Sequence, residues 1–294
     1  MAYVNMERRV FKFGSNSVAL IVPKKWLDKS GLKPSSSVFI SETESGNLVV
    51  SPTETARQEA ERVITSKTKP SFLSRWIGLH YMYGVGRLRV YSADGLTQAQ
   101  IEGVENKINR ECPGFEITSQ SGKDIVIEDL TNVKEIDLDK IIGRLRSLIN
   151  QEFEEMLGGD RRSVGRIEKL VNRFYMLGTR YVNITQAKDA LTYFGILEFL
   201  EHISDKMEML AVEFRSDDKE ALTELRGQFD LSFSALKGND KDIEKVAEMR
   251  ERILRRLSHS RTDKRYARLI REISDDISGV SEFGLRAEGA HGVV

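Results

Sequence analysis

From about residue 135 onward the apolar residues of this chain recur at three- and four-residue intervals, the period of helices packed on helices. Leu200, Ile203, Met207, Leu210 and Phe214 step by 3, 4, 3 and 4 along one seam. The seam returns at an offset of 70 as Ile270, Ile273, Ile277, Val280 and Gly284, and inside it Ile203-Ser204-Asp205 returns as Ile273-Ser274-Asp275. Helices fit at 137–157, 161–182, 187–214, 217–236, 240–258 and 263–284. Breaks fall at Gly158-Gly159, Asn183 to Thr185, Arg215-Ser216, Gly238-Asn239 and Ser260 to Thr262, with Ser216, Asn239 and Thr262 as N-caps. Three helices, twice over, predict a pair of three-helix bundles within 133–286, at 135–214 and 216–284. The small residues of 287–294 read as a frayed tail.

The N-terminal texture is different. Val10, Phe11 and Phe13 precede a turn at Gly14-Ser15-Asn16-Ser17, and Val18 to Val22 form an apolar strand. Pro23 suits the first turn of a short helix, Lys24 to Ser30, which Gly31 stops. Val38-Phe39-Ile40 and Leu48-Val49-Val50 flank a turn at Glu44 to Asn47. Residues 1–52 with four short strands bury little core alone, so a dimeric barrel is expected. Residues 53–70 read as a polar connecting helix. Residues 71–132 read as a small α/β segment: a helix at Phe72 to Tyr83, a strand at Leu88 to Tyr91, a Thr97/Gln100 capping box, and a hairpin about Ser121-Gly122. The fold class is multi-domain α+β.

Charge sharpens the division. The whole chain has 45 Lys+Arg against 45 Asp+Glu, yet residues 1–52 are net +3, residues 250–271 net +7, and the rest net −10. Arg8, Arg9, Lys12, Lys24 and Lys25 are the basic set of the first segment, suited either to DNA phosphates or to a solvated face. Arg252, Arg255 and Arg256 share a helix face, and Arg261, Lys264, Arg265, Arg268 and Arg271 follow. They suit an acidic partner, phosphate or DNA, or pairing with the acidic neighbours that are plentiful nearby, and the pairing is favoured. Glu201 and Asp205 stand four apart on one face, as do Glu272 and Asp276, so each pair is either a hard-cation ligand set or an ordinary solvated edge. Arg271 stands where the repeat would put a second Glu201.

No catalytic constellation is evident, so an enzyme is not expected. The histidines His80, His202, His259 and His291 fall in no spaced triad or metal motif, and Gly84-Val85-Gly86 follows a helix rather than a strand. The lone Cys112 forms no internal disulfide, no apolar run spans a bilayer, and Met1 to Arg9 carries no signal-peptide core. A cytoplasmic protein without membrane insertion is the expectation.

Phe11 to Ser17, Ile21-Val22-Pro23-Lys24-Lys25-Trp26-Leu27 and Gly31-Leu32-Lys33 resemble the AbrB/MazE/SpoVT swapped-hairpin DNA-binding family. The family's Gly-Asp turn is Ser35-Ser36 here. The resemblance implies an interleaved homodimeric barrel, with DNA contacted by Arg8, Arg9, Lys12, Lys24 and Lys25. Leu200 to Asp205, with Arg166-Ile167-Glu168 and Asn172 to Leu177 before it, is similar to PhoU. That likeness implies a divalent or ferric ion among Glu168, Glu201, Asp205, Glu272 and Asp276, although Asn172 replaces a usual Asp. No cofactor beyond that ion is implied. Archaeal phosphate-uptake regulators join such parts in this order.

The function this implies is a DNA-binding transcriptional regulator of phosphate uptake and homeostasis, acting at promoters. The alternative is a PhoU-type signalling adaptor on a phosphate transporter or sensor, with the barrel used for dimerisation. A third reading, an antitoxin, fits less well because the C-terminal part reads as folded.

Overall fold

A computed structural model describes residues 7–15, 17–33, 35–42, 46–52, 59–131, 137–185, 189–213, 219–259 and 263–286. The chain divides into two compact units, Met1–Ala56 and Arg57–Val294. The expected caps Ser216 and Thr262, the breaks at 215–216 and 260–262, and the tail 287–294 lie outside the described residues.

In the first unit, β1 (Val10–Phe13) pairs antiparallel with β2 (Ser17–Leu20), and the hairpin turns at Gly14, whose φ of 71° suits a residue without a Cβ. α1 (Lys24–Lys29) follows, and Gly31 at φ 67° ends it. Pro23 stands at the N-cap, its carbonyl accepting from the Trp26 and Leu27 amides, rather than inside the first turn. β3 (Phe39–Glu42) pairs antiparallel with β4 (Leu48–Ser51) as a second hairpin. Among the described residues the two hairpins form separate two-stranded sheets.

The second unit opens with a correction. The expected connecting helix over 53–70 gives way to β5 (Glu59–Ile64), which pairs in parallel with β6 (Arg87–Ser92); residues 53–58 lie outside the described set. Helix-prone Glu59 and Glu61 become strand residues because they stand opposite Arg87 and Arg89, with ion pairs of 3.3 and 3.2 Å. Pro70 does not end a helix but begins one, α2 (Pro70–Met82), at the position where a missing N–H costs nothing. α3 (Gln98–Glu111) has the Thr97/Gln100 capping box, and the Gln100 amide also ties down the Thr65 and Thr68 carbonyls. β7 (Phe115–Gln120) and β8 (Asp124–Asp129) complete a sheet of order β5-β6-β8-β7, with α2 as the crossover between β5 and β6. Leu73, Ile77, Leu88, Val90, Val104, Ile125 and Ile127 form the core between this sheet and its helices.

Among the described residues six helices follow: α4 (Leu138–Gly158), α5 (Arg161–Thr185), α6 (Ala190–Glu213), α7 (Lys219–Ala235), α8 (Asp240–His259) and α9 (Lys264–Glu282). α5 runs through the break expected at Asn183 to Thr185, because the Asn183 amide donates to the Met82 carbonyl at 2.7 Å and the Thr185 hydroxyl to the Tyr181 carbonyl at 2.9 Å. The cap of α9 is Asp263, whose carboxylate accepts from the Arg265 and Tyr266 amides, one residue beyond the expected Thr262. The seam residues Leu200, Ile203, Met207 and Leu210, with Ile270, Ile273, Ile277 and Val280, are fully buried. Rather than closing off two separate cores, the triplets α4–α6 and α7–α9 share one continuous apolar cluster. The seam between α6 and α9 is built on reciprocal notches. The Phe199 ring fills the space over Gly279, and the Phe283 ring fills the space over Gly195.

Candidate functional site

Alternation places Val10, Lys12, Val18 and Leu20 on one face of the first hairpin and Phe11 and Phe13 on the other. Both faces are open: Phe13 is 72% exposed and Val18 69%, and Phe39, Ile40 and Leu48 of the second hairpin are exposed as well. A hairpin of two four-residue strands with both faces uncovered is at best marginally stable in water. Arg8, Arg9 and Lys12 sit at the start of the first hairpin, and Lys24 and Lys25 open α1; all five are exposed or partly exposed. Long cationic side chains on a short ordered frame can neutralise backbone phosphates and fix the register of a duplex, without reading its bases.

Residues 12–58 match the family model of MazE, the bacterial antitoxin of antidote–toxin recognition. The match takes in Lys12, Lys24 and Lys25, and Arg8 and Arg9 precede it. This likeness supports a DNA-binding domain at the N-terminus. No curated protein and no solved structure matches the chain. No described helix is long and apolar enough to cross a membrane.

The carboxylates singled out in the helical half do not form one group. Glu168 of α5 is buried and accepts from the Asn172 amide at 2.7 Å. Burial raises its proton affinity, and Glu208 and Asp205 add to that. Glu201 of α6 is held up at about 7 by burial, then by Asp205, Glu198 and Glu168. Burial likewise raises Asp205, against the pull of His202 and Lys206. Glu168 of α5 thus feels Asp205 of α6, and Glu201 feels both. Glu272 instead pairs with Arg268 at 2.7 Å, one turn away on α9, and Asp276 pairs with Lys206 of α6. Among the described residues no three His, Cys, Asp or Glu side chains are disposed to hold one metal ion.

The basic helical stretch is largely neutralised from within. Arg252 and Arg256 both reach Glu224 at 3.1 Å, Arg256 also meets Glu220 at 2.5 Å, and Arg250 meets Asp275 at 2.6 Å. Arg265 pairs with Glu213 at 3.1 Å. Glu213, Glu220, Glu224 and Asp275, all outside residues 250–271, thus offset more than half of that stretch's +7.

Among the buried acids outside the sequence candidates, Asp129, Glu152 and Asp242, one is buried completely. Glu152 of α4 is wholly inaccessible, and its Oε1 accepts from the Ser204 hydroxyl at 2.6 Å. The signal lay in the seam of α4, where Leu145, Leu148, Glu152 and Met156 follow three- and four-residue steps and only Glu152 is polar.

Proposed function

We propose that the protein is a dimeric DNA-binding transcriptional regulator of phosphate uptake. The observation that carries the DNA part is the set of five accessible cations on and beside a MazE-like hairpin. Dimerisation is supported by the apolar residues that one copy leaves uncovered on both faces of that hairpin. A second copy covers them and doubles the +3 of residues 1–52 along one duplex. The phosphate assignment rests on the likeness of Leu200 to Asp205, and of the helix order around it, to PhoU. The helical half then favours one of two dimer states according to phosphate status, directly or through a partner. No catalytic step and no resident metal enter this reading.

The adaptor alternative uses the arginines of 250–271 as a docking face for a transporter or sensor. Their pairing with Glu213, Glu220, Glu224 and Asp275 weighs against it. The antitoxin reading draws on the description of the matched family, and the folded helical half weighs against it. Genomic footprinting in phosphate-replete and phosphate-starved cells tests the proposal. Occupancy at phosphate-transport promoters that changes with phosphate supports it; occupancy elsewhere, or none, refutes it. Recovery of a toxin bound to the chain would support the antitoxin reading instead.

A further inference from the structure

Each helical triplet carries one polar side chain at the same place in its core, and the two differ by a single group. In α7 it is Gln228, and in α4 it is Glu152; both are wholly inaccessible. Each sits on the first helix of its triplet and bonds to the serine of the repeated Ile-Ser-Asp. The Ser274 hydroxyl donates to Gln228 Oε1 at 2.8 Å, and the Ser204 hydroxyl donates to Glu152 Oε1 at 2.6 Å. Ser204 and Ser274 are separated by the repeat offset of 70, so the equivalence rests on both helix order and bonding.

The second triplet reveals what this position requires. Gln228 Nε2 donates to the Ser274 carbonyl at 3.2 Å, the Val246 carbonyl at 3.5 Å and the Ser278 hydroxyl at 3.1 Å. The pocket therefore presents acceptors to the second arm of the side chain. A carboxylate has the same shape and no donor. In the first triplet Glu152 Oε2 is buried and has no hydrogen-bond partner. The repeat puts Glu208 where Ser278 stands, another acidic group. The charges felt by Glu152 from its neighbours are Glu168 of α5 and Asp205 and Glu208 of α6, all negative. From α7, Arg226 and Asp230 meet α4 at its outer side, where they pair with Glu154 and Arg146. An ionised Glu152 would be a negative charge at a solvent-inaccessible position, with Glu168, Asp205 and Glu208 as its charged neighbours.

We propose that Glu152 is a proton-binding site of the first triplet: its Oε2–H replaces the amide N–H of Gln228, and loss of that proton loosens α4 from α5 and α6. Burial first, and then the three neighbouring acids, raise the carboxyl well above its ordinary range against the opposing pull of the Ser204 hydroxyl. The consequence is a pH-sensitive element in one triplet of a repeat whose other triplet has been made insensitive by an amide. It is independent of the DNA-binding reading, since it concerns only the second unit.

Infrared spectra of the full chain at pH 7 test it directly. The wild-type minus Glu152→Gln difference should contain the carbonyl band of a protonated carboxylic acid; a carboxylate band in its place overturns the proposal. Equilibrium unfolding gives a second readout. The native state holds a proton that the unfolded state releases, so the unfolding constant rises with pH by up to about tenfold per unit from this group alone. Glu152→Gln should lose that increment, and an unchanged slope overturns the proposal. Should Glu152→Gln fail to fold, Ser204→Ala serves: with the hydroxyl donor to Glu152 Oε1 gone, the protonated-acid carbonyl band should move to higher wavenumber, and no such band, or one that does not move, overturns the proposal.

Discussion

The guanidinium of Arg180 donates to the carboxylate of Asp129 at 2.6 Å, with 1% and 8% of the two side chains exposed. The same guanidinium donates to the Tyr81 and Val85 carbonyls and lies 4.7 Å over the Tyr81 ring. One side chain of α5 thereby holds the end of α2 and the end of β8. Arg180→Met leaves a buried carboxylate without its counter-ion and is expected to cost about 3–5 kcal/mol in chemical denaturation. Adding Asp129→Asn should recover part of that loss. A single variant with wild-type stability would show that water reaches the pair.

The α6–α9 seam makes an opposite prediction from helix propensity. Alanine normally stabilises a helix over glycine by up to about 1 kcal/mol. At Gly279 an added Cβ would overlap Cζ of the Phe199 ring, so Gly279→Ala should instead destabilise by about 1–3 kcal/mol. Combining it with Phe199→Leu should relieve the loss. Thermal melts of the three variants decide this, and a stabilised Gly279→Ala chain would contradict the observed packing.

Glu201 is raised from its ordinary 4.5 to about 7, first by burial and then by Asp205. The folded state binds a proton more tightly than the unfolded state does. Its stabilising contribution is full below about 4.5 and is lost as pH rises to about 7. Glu201→Gln should therefore flatten the decline of unfolding midpoint across that window, as read by calorimetry at a series of pH values. An unaltered decline would place the titration on another group.

Lys24→Ala with Lys25→Ala should weaken promoter binding in a gel shift and flatten its salt dependence. The slope of log affinity against log salt should fall by about 0.9 for each phosphate no longer neutralised. Unchanged affinity and slope would remove these lysines from the interface.

Arg256→Ala should do neither. Its guanidinium is partly exposed and engaged with Glu220 and Glu224, so the expected loss is below about 1 kcal/mol of stability, with DNA affinity unaltered. Gel shifts and melts on the same preparation check both halves. A marked fall in DNA affinity would make the basic helical stretch part of the interface.

Legibility followed the range of the interactions. The Thr97/Gln100 box, the α6 and α9 seams and the first hairpin were readable because each is set by residues a few places apart. β5 was not: Glu59 to Arg62 read as helix, and only Arg87 and Arg89 on the facing strand make that polar segment a strand. The end of α5 was misplaced for the same reason, since Asn183 is satisfied by a carbonyl of α2. At the candidate sites, residue types and spacing single out Lys12, Lys24, Lys25, Glu201 and Asp205 as candidates. They did not separate Glu272 and Asp276 from that carboxylate set, because the ion pairs with Arg268 and Lys206 belong to the packed state.

Period, turn chemistry and charge are local properties, so the mixed α+β class, the helical seams and the cations beside the first hairpin are legible in the residues alone. Which charges are neutralised, which acids are buried, and the single core shared by the two triplets emerge from packing. Those outcomes depend on which side chains exclude water from one another, and residues as distant as Arg180 and Asp129, or Glu152 and Ser204, meet only when the chain has folded.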